Sequence, residues 1–244
     1  MPGTARTAEK ARLACDGAGS GRAVPLACEL SDPGSVRACV AGVKRLGHRL
    51  DAVVCNAGIM ALPRREAAYG IELQLFTNHV GHFLLVTGLL DALADDGRVV
   101  VVSSAAHRQA PREGIRFDDL GAERGYSPWV AYGQSKLANL LFAKELARRL
   151  AGSRRTANAL HPGVIHTNLT RHLPPAVDAL YGFLGKLVLK TIPQGAATQA
   201  WAAAHPDAGR LSGAYLADCN PGTPRADAED PALEVQVAVA QAHG

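Results

Sequence analysis

Four valines in a row, Val99 to Val102 within "GRVVVVSS", constrain this chain more than any other stretch. Successive side chains of a strand point to opposite faces, so a strand with Val at every position must be covered on both. Strands buried on both faces belong to parallel sheets with helices above and below. "LDAVVCNAG" is a second apolar run and stops at Asn-Ala-Gly; "AVPLACEL", "RTANALHPG" and "GAYLAD" read as further strands. Helical stretches lie between them. "RTAEKARLA" forms one that ends near Gly17, and Asp32 caps another, entered through Pro33 and closed by Gly47. A long helix is expected from about Gly70 to Leu93. After an irregular insert at 107–127, Ser127-Pro128 opens "PWVAYGQSKLANLLFAKELARRLAG", with Ser as the cap and Gly152 as the stop. Leu137, Leu140, Leu141, Leu146 and Leu150 give that helix a broad apolar stripe. Helices around 194–205 and from about Pro231 complete the pattern. Strand alternating with helix predicts an α/β fold, a doubly wound parallel sheet of the Rossmann type.

The 244 residues, 48% hydrophobic, suit one domain over 1–244, and no repeat or linker divides them. The net charge of +4 is spread thinly along the chain, which argues against a nucleic-acid face. Five scattered cysteines without a C-x-x-C read as reduced thiols of a cytoplasmic protein. The longest apolar candidate, "YGFLGKLVLKTI", is short and broken by Lys186 and Lys190, so no membrane span is expected. It could line a pocket instead.

"DGAGSGRAV" holds three glycines with the spacing of a phosphate loop. In a dinucleotide-binding unit such glycines follow a strand and open a helix, whose N-terminal amides meet the pyrophosphate. Here Gly17, Gly19 and Gly21 follow a helix and precede a strand, so a surface turn is the better reading.

Tyr132 and Lys136 in "YGQSK" stand four residues apart on one helical face. A phenol titrates near 10, and a neighbouring positive charge favours the phenolate; lowering it by about three pH units takes about 4 kcal/mol. Alone, the pair is equally an ordinary surface Tyr and Lys. Its surroundings change the reading. Ser103-Ser104 ends the Val-rich strand, Asn56-Ala57-Gly58 ends the strand before it, and His161-Pro162-Gly163 ends the one after. Asn78, in "TNHVGHF", falls within the long helix. Open parallel sheets bind ligands at these carboxyl ends.

These residues, in this order, resemble the short-chain dehydrogenase/reductase family; "NHVGHFLL", "VVSSAAH", "YSPWVAYGQSKLANLLFAKEL" and "HPGVIHTNL" are similar to its retinol-dehydrogenase-like branch. The resemblance runs from about residue 9 to the end. It implies an NAD(P)-dependent enzyme that interconverts an alcohol and a carbonyl by hydride transfer, NAD versus NADP staying open. It implies that Tyr132 is the acid/base, that Lys136 lowers the phenol's pKa and holds the nicotinamide ribose, and that Ser104 bonds the reacting oxygen. Asn78 would bind a water linking Lys136 to solvent. Asn56, Ala57 and Gly58 would floor the adenine side of the cofactor cleft, and Pro162, Gly163 and Thr167 would contact the nicotinamide end. Glu29 stands where the family usually has an Asp touching the adenine. Relatives commonly pair through the helices at 70–93 and 128–150, which makes a homo-oligomer an expectation here too.

A family member begins with a strand, a Thr-Gly-x-x-x-Gly-x-Gly turn, a helix and a second strand that selects the ribose 2′ group. The resemblance sets the first helix of this chain after that second strand. Both strands and the phosphate loop are therefore expected to be lacking, as in a chain started downstream of its true beginning. "AVPLACEL" would lose its neighbour, the edge carrying Val53 and Val54 would be exposed, and cofactor binding would be weak. The competing reading is a non-catalytic truncated scaffold. A hydrolase built on Ser104 lacks the G-x-S-x-G elbow. No metal site is expected: His79 and His82 are assigned to capping or packing within the helix, and no carboxylate or thiolate near them has ligand spacing. Trp129 and Trp201 are read as packing residues, with Trp129 also placed to border the substrate. The apolar segment 168–192 and the insert at 105–127 would form the substrate pocket, suiting a small hydrophobic alcohol or carbonyl compound.

Overall fold

The computed structural model describes residues 1–17, 23–164, 190–230 and 232–233. Thr167, His166, most of the 168–192 segment, the glycine turn beyond Gly17 and most of the helix expected from Pro231 lie outside the described residues.

The chain opens with strand β1 (Pro2–Ala5), helix α1 (Ala8–Gly17) and strand β2 (Val24–Ala27), and the two strands pair in parallel. Helix α2 (Pro33–Arg45) follows, its first turn held by Asp32, which accepts from Gly34 N at 2.8 Å. Gly47, at φ 70°, turns the chain into β3 (Leu50–Cys55). The main sheet has the order β3, β6 (Leu93–Val102), β7 (Thr156–His161), β8 (Tyr215–Ala217), β9 (Asn220–Pro221); its first four strands are parallel and β9 is antiparallel. Val99 to Val102 are all buried, as a central strand covered on both faces requires. Helix α5 (Pro128–Arg149) covers one face, with Leu137, Leu140, Leu141 and Leu146 buried. Helix α6 (Ile192–Ala204) lies on the other face and is entered through a capping box of Thr191 and Gln194.

Four expectations change. The chain does not begin at the first helix: β1 precedes it, so β2 keeps a neighbour. "PGTA" hid this strand because Pro and Gly are poor strand formers in isolation, and pairing with β2 overrides that. Second, Val54 is 43% exposed but Val53 is buried. Alternate side chains leave opposite faces, and only the face carrying Val53 and Cys55 joins the core. Among the described residues β3 has a strand partner on one side only.

Third, the long helix is not uniform. Tyr69 (φ 52°) and Gly70 (φ 78°) form the two-residue turn of a small hairpin, β4 (Ala67–Ala68) with β5 (Ile71–Glu72), so helix starts only at α3 (Leu73–Leu75). A π-helical turn, Phe76–Val80, then joins α3 to α4 (Gly81–Leu89). Leu93 already belongs to β6. Fourth, Ser127 occupies the N-cap of α5 but makes no side-chain capping bond.

The β1–β2 pair and the main sheet meet through helices. A Cβ on Gly81 would lie 2.3 Å from Leu30 O, and one on Gly88 would lie 2.9 Å from Val40 Cγ2. Two glycines seven residues apart thus let α4 sit directly on α2 and the turn before it.

Candidate active site

Strand β6 ends by handing two serines to different tasks. Ser103 is buried, and its Oγ donates to the Lys136 carbonyl at 2.7 Å, fixing the strand end against α5. Ser104 is half-buried beside the phenol of Tyr132: its Oγ accepts from Ala106 N at 3.2 Å, and its proximity acts to lower the phenol's pKa. Tyr132, Ser135, Lys136 and Asn139 follow one another on one face of α5, at helical spacings of three and four, and all four are buried.

Lys136 is only 4% exposed. Its Nζ donates to Val102 O at 3.0 Å and lies 5.6 Å from the centroid of the Tyr132 ring. Burial pushes its pKa down to about 8. Tyr132 moves the other way from the expectation: burial raises the phenol to about 12, with Ser104 acting in the opposite sense. The reason is geometric. The ammonium sits over the ring and is engaged by Val102 rather than lying beside the phenol oxygen.

Asn78 lies in the π-helical turn. Irregular helical turns of this kind recur at functional sites because they redirect side chains and backbone groups. Its Nδ2 donates to Ile59 O and to Ser135 Oγ, both at 2.9 Å, and its Oδ1 accepts from Ile59 N at 2.8 Å. Its carbonyl accepts from His82 Nδ1 at 2.8 Å. A Cβ on Gly58 would meet Asn78 Oδ1 at 3.0 Å and Lys136 Nζ at 3.7 Å, so both side chains close directly onto bare backbone there. Ser104, Tyr132, Lys136, Asn78 and Gly58 are therefore brought together, from the ends of β3 and β6 and from two helices.

The remaining candidates ring this group. Asn56 and Ala57 are exposed at the end of β3, and Asn56 Oδ1 accepts from Gln199 Nε2 at 3.5 Å. Pro162 and Gly163 follow β7; Gly163 has φ 90°, and a Cβ there would lie 2.5 Å from Lys190 Cδ. Lys190 pairs with Asp218, and its N–H donates to Val164 O at 2.9 Å. Glu29 stands apart, past the end of β2. Its carboxylate accepts from Ser31 N and Oγ and lies 3.7 Å from Arg6, so it serves its own turn. Trp129, 39% exposed, meets Tyr132 edge-on with centroids 6.2 Å apart.

His79 and His82 do more than pack. His79 Nδ1 bonds Asn139 Oδ1 at 3.1 Å, and burial pushes both rings down to about 4. Ser135, Asn139 and Gln74 were not among the expected site residues. The signal for the first two was present, as polar residues on the face shared with Tyr132 and Lys136. Among the described residues no His, Cys, Asp and Glu cluster fits a metal ion, and no helix is long and apolar enough to cross a membrane.

The family model described as enoyl-(acyl carrier protein) reductase matches residues 4–214. The chain is 42% identical over 217 residues to the short-chain dehydrogenase TIC 32 A, chloroplastic, of Brassica napus, covering 85% of this chain and 68% of that protein. It is 40% identical over 205 residues to human retinol dehydrogenase 14, covering 82% and 60%. The chain thus spans roughly two thirds of the length of these relatives. Among solved structures, the angucycline C-6 ketoreductase LanV with bound NADP superposes with a TM-score of 0.66 at 27% identity, over 88% of this chain and 82% of that one. The family-model match over residues 4–214, together with identities of 40% and more to short-chain and retinol dehydrogenases, places the chain in the short-chain dehydrogenase/reductase family, in its retinol-dehydrogenase-like branch.

Proposed function

We propose that this protein is an NAD(P)-dependent oxidoreductase that interconverts a hydrophobic alcohol and its carbonyl compound, with Tyr132 as the acid/base. The burial of Tyr132 and Lys136 one turn apart on α5, with the ammonium 5.6 Å from the phenol ring centroid and Ser104 close enough to lower the phenol's pKa, carries this reading. In reduction, Ser104 Oγ would bond the carbonyl oxygen and hold it at the phenol, and Tyr132 would donate its proton to that oxygen. A phenol raised to about 12 keeps its proton at neutral pH, which suits the reductive direction. Lys136, near 8, is mostly charged at pH 7; drawn from Val102 toward the phenol oxygen, it would favour the phenolate needed for alcohol oxidation.

The residues present fit a nicotinamide cofactor, which when bound supplies or accepts the hydride. Gly58 brings bare backbone close to Asn78 and Lys136, and Gly163 lets the Lys190 side chain lie against the end of β7, so both strand ends approach the site without side chains of their own. Asn56, Ala57, Pro162 and Gly163 line the same ends of the strands, and Lys136 offers N–H donors to ribose hydroxyls. Arg6 directly follows β1 and is 59% exposed along its side chain. An arginine at this point of a doubly wound fold accommodates a ribose 2′-phosphate, so NADP is the favoured form. The NADP bound by the ketoreductase relative supports the same choice.

The substrate side is apolar, with the open flank of Trp129 and exposed Val164 bordering the phenol and the end of β7. All five cysteines are free thiols, consistent with a reducing compartment such as the cytoplasm. Fluorescence titration with NADPH, and turnover of a long-chain aldehyde, test the proposal. Wild type should bind and turn over; Tyr132→Phe should bind equally and lose turnover. A wild-type chain that does neither supports the non-catalytic scaffold, and a Tyr132→Phe variant with unchanged turnover removes Tyr132 from the mechanism.

A further inference from the structure

Behind the catalytic group lies a buried polar relay that the proposed chemistry does not use. Val102, the last residue of β6, turns its carbonyl toward α5, where it receives Lys136 Nζ at 3.0 Å and Asn139 Nδ2 at 3.1 Å. A carbonyl oxygen only accepts and has two lone pairs, so both are taken, and Asn139 must present its amino end there. Asn139 Oδ1 then points to His79 Nδ1 at 3.1 Å, and that nitrogen must carry the proton. Asn139 is fully buried, and Lys136 and His79 are nearly so. Because burial holds His79 neutral down to about pH 4, this arrangement persists across the working range.

The groups around Lys136 are Tyr132 and Asn139 on its own helix, Ser104 past the end of β6, His79 in the π turn and His82 on α4, whose ring feels the Lys136 charge. Among the described residues no carboxylate contributes to its titration; burial sets the direction.

We infer that His79 and Asn139 are positioning residues for Lys136: the Val102 carbonyl and His79 hold the Asn139 amide from both ends with its donor toward Val102. This hold denies the ammonium a second protein acceptor and keeps its remaining N–H bonds for ligand, and His79 supplies the half of it whose loss frees the amide to turn. The inference rests on the role proposed above for Lys136. Turned round, the amide would set a second oxygen beside the Val102 carbonyl that already holds the ammonium. Hydrogen bonds to a charged group are about twice as strong as neutral ones, so the lysine would be parked against the sheet. The edge contact of His79 with Phe142, with ring centroids 6.0 Å apart, keeps the imidazole seated for this task.

The test reads Lys136 directly, by NMR titration of the chain carrying a labelled lysine ε-carbon, with Lys136→Arg assigning the resonance. His79→Leu removes the lock and should raise the Lys136 midpoint by about one pH unit or more. His79→Asn, whose Nδ2 can stand in for Nδ1–H, should leave it within a few tenths. Asn139→Asp, which places a carboxylate at the shared oxygen, should raise it further than His79→Leu. In turnover assays His79→Leu should lower kcat about tenfold with KM little changed, and His79→Asn should recover it. If His79→Leu does not fold, the contrast of Asn139→Asp with His79→Asn carries the test. The inference is overturned if the lock-breaking variants titrate Lys136 at the wild-type midpoint, or if His79→Asn shifts it as far as His79→Leu. A wild-type chain without turnover would sink the oxidoreductase reading alone, since the titration needs neither cofactor nor substrate.

Discussion

Gln74 and Asn78, one helical turn apart, grip the same short loop: Gln74 Oε1 accepts from Ala61 N at 2.6 Å, while Asn78 bonds both N–H and C=O of Ile59. Ala61 has φ 50°, a conformation an alanine adopts at a cost, so the loop after Asn-Ala-Gly is held rather than relaxed. Gln74 is itself fixed by Glu72 and Tyr126, whose hydroxyl donates to Leu62 O at 2.7 Å.

This grip predicts the cost of breaking it. Asn78→Ala removes three side-chain hydrogen bonds, one buried and two partly buried, and leaves Ile59 unpartnered, so it should destabilise the chain by about 3 kcal/mol. Gln74→Leu should cost about 2 kcal/mol through Ala61 N. Urea unfolding midpoints check both, and a loss below about 0.5 kcal/mol in each would show that the loop does not depend on them.

Lys136 should trade stability for its role. Its folded pKa is about 8 against an ordinary 10.5, so the unfolded chain binds the extra proton between these values. Stability therefore rises as pH climbs from 8 to 10.5, and below 8 the buried charge costs about 3 kcal/mol. Lys136→Met should be more stable than wild type at pH 7, with the advantage vanishing by pH 10.5. Denaturant melts at the two pH values measure it.

His79 and His82 set an acid limit. Both rings fall from 6.5 to about 4 on folding, so the unfolded chain takes up protons first as pH drops. Their contribution is fully present above 6.5 and is lost between 6.5 and 4, about 3 kcal/mol for each ring. The double variant His79→Asn/His82→Asn keeps both donors and should flatten the stability curve over this window. A curve as steep as wild type would assign acid unfolding to other groups.

Arg6 should discriminate between the two nicotinamide cofactors. Arg6→Ala is expected to weaken NADPH binding about tenfold and leave NADH binding unchanged, as a lost 2′-phosphate contact would. Equal loss for both would remove the residue from that role. Isothermal titration with each cofactor decides it.

The parallel sheet was legible because Val99 to Val102 admit few other environments, and α5 because Ser127-Pro128, its leucines and Gly152 agree. Strand ends and helical spacing pointed to Tyr132, Lys136 and the Ser103-Ser104 pair, and the family resemblance singled out Ser104 of the two. What stayed hidden depends on partners distant in sequence. Pro2–Ala5 becomes a strand only because β2 lies beside it. The π turn at 76–80 has no local signature, being set by how Asn78 reaches Ile59. Nor could spacing show that Lys136 would rest on Val102 and leave the phenol raised, since that balance is decided by burial.

Gly81 and Gly88 carry a consequence of their own. Among the described residues no ladder bond joins the β1–β2 pair to the main sheet, so the separation between Arg6 and Tyr132 is gauged by how deeply α4 beds into its neighbours. A methyl group at either glycine would jack the two halves apart and lengthen that span without touching a reacting atom. Reach across the cleft is thus written into two absent side chains, far from any chemistry.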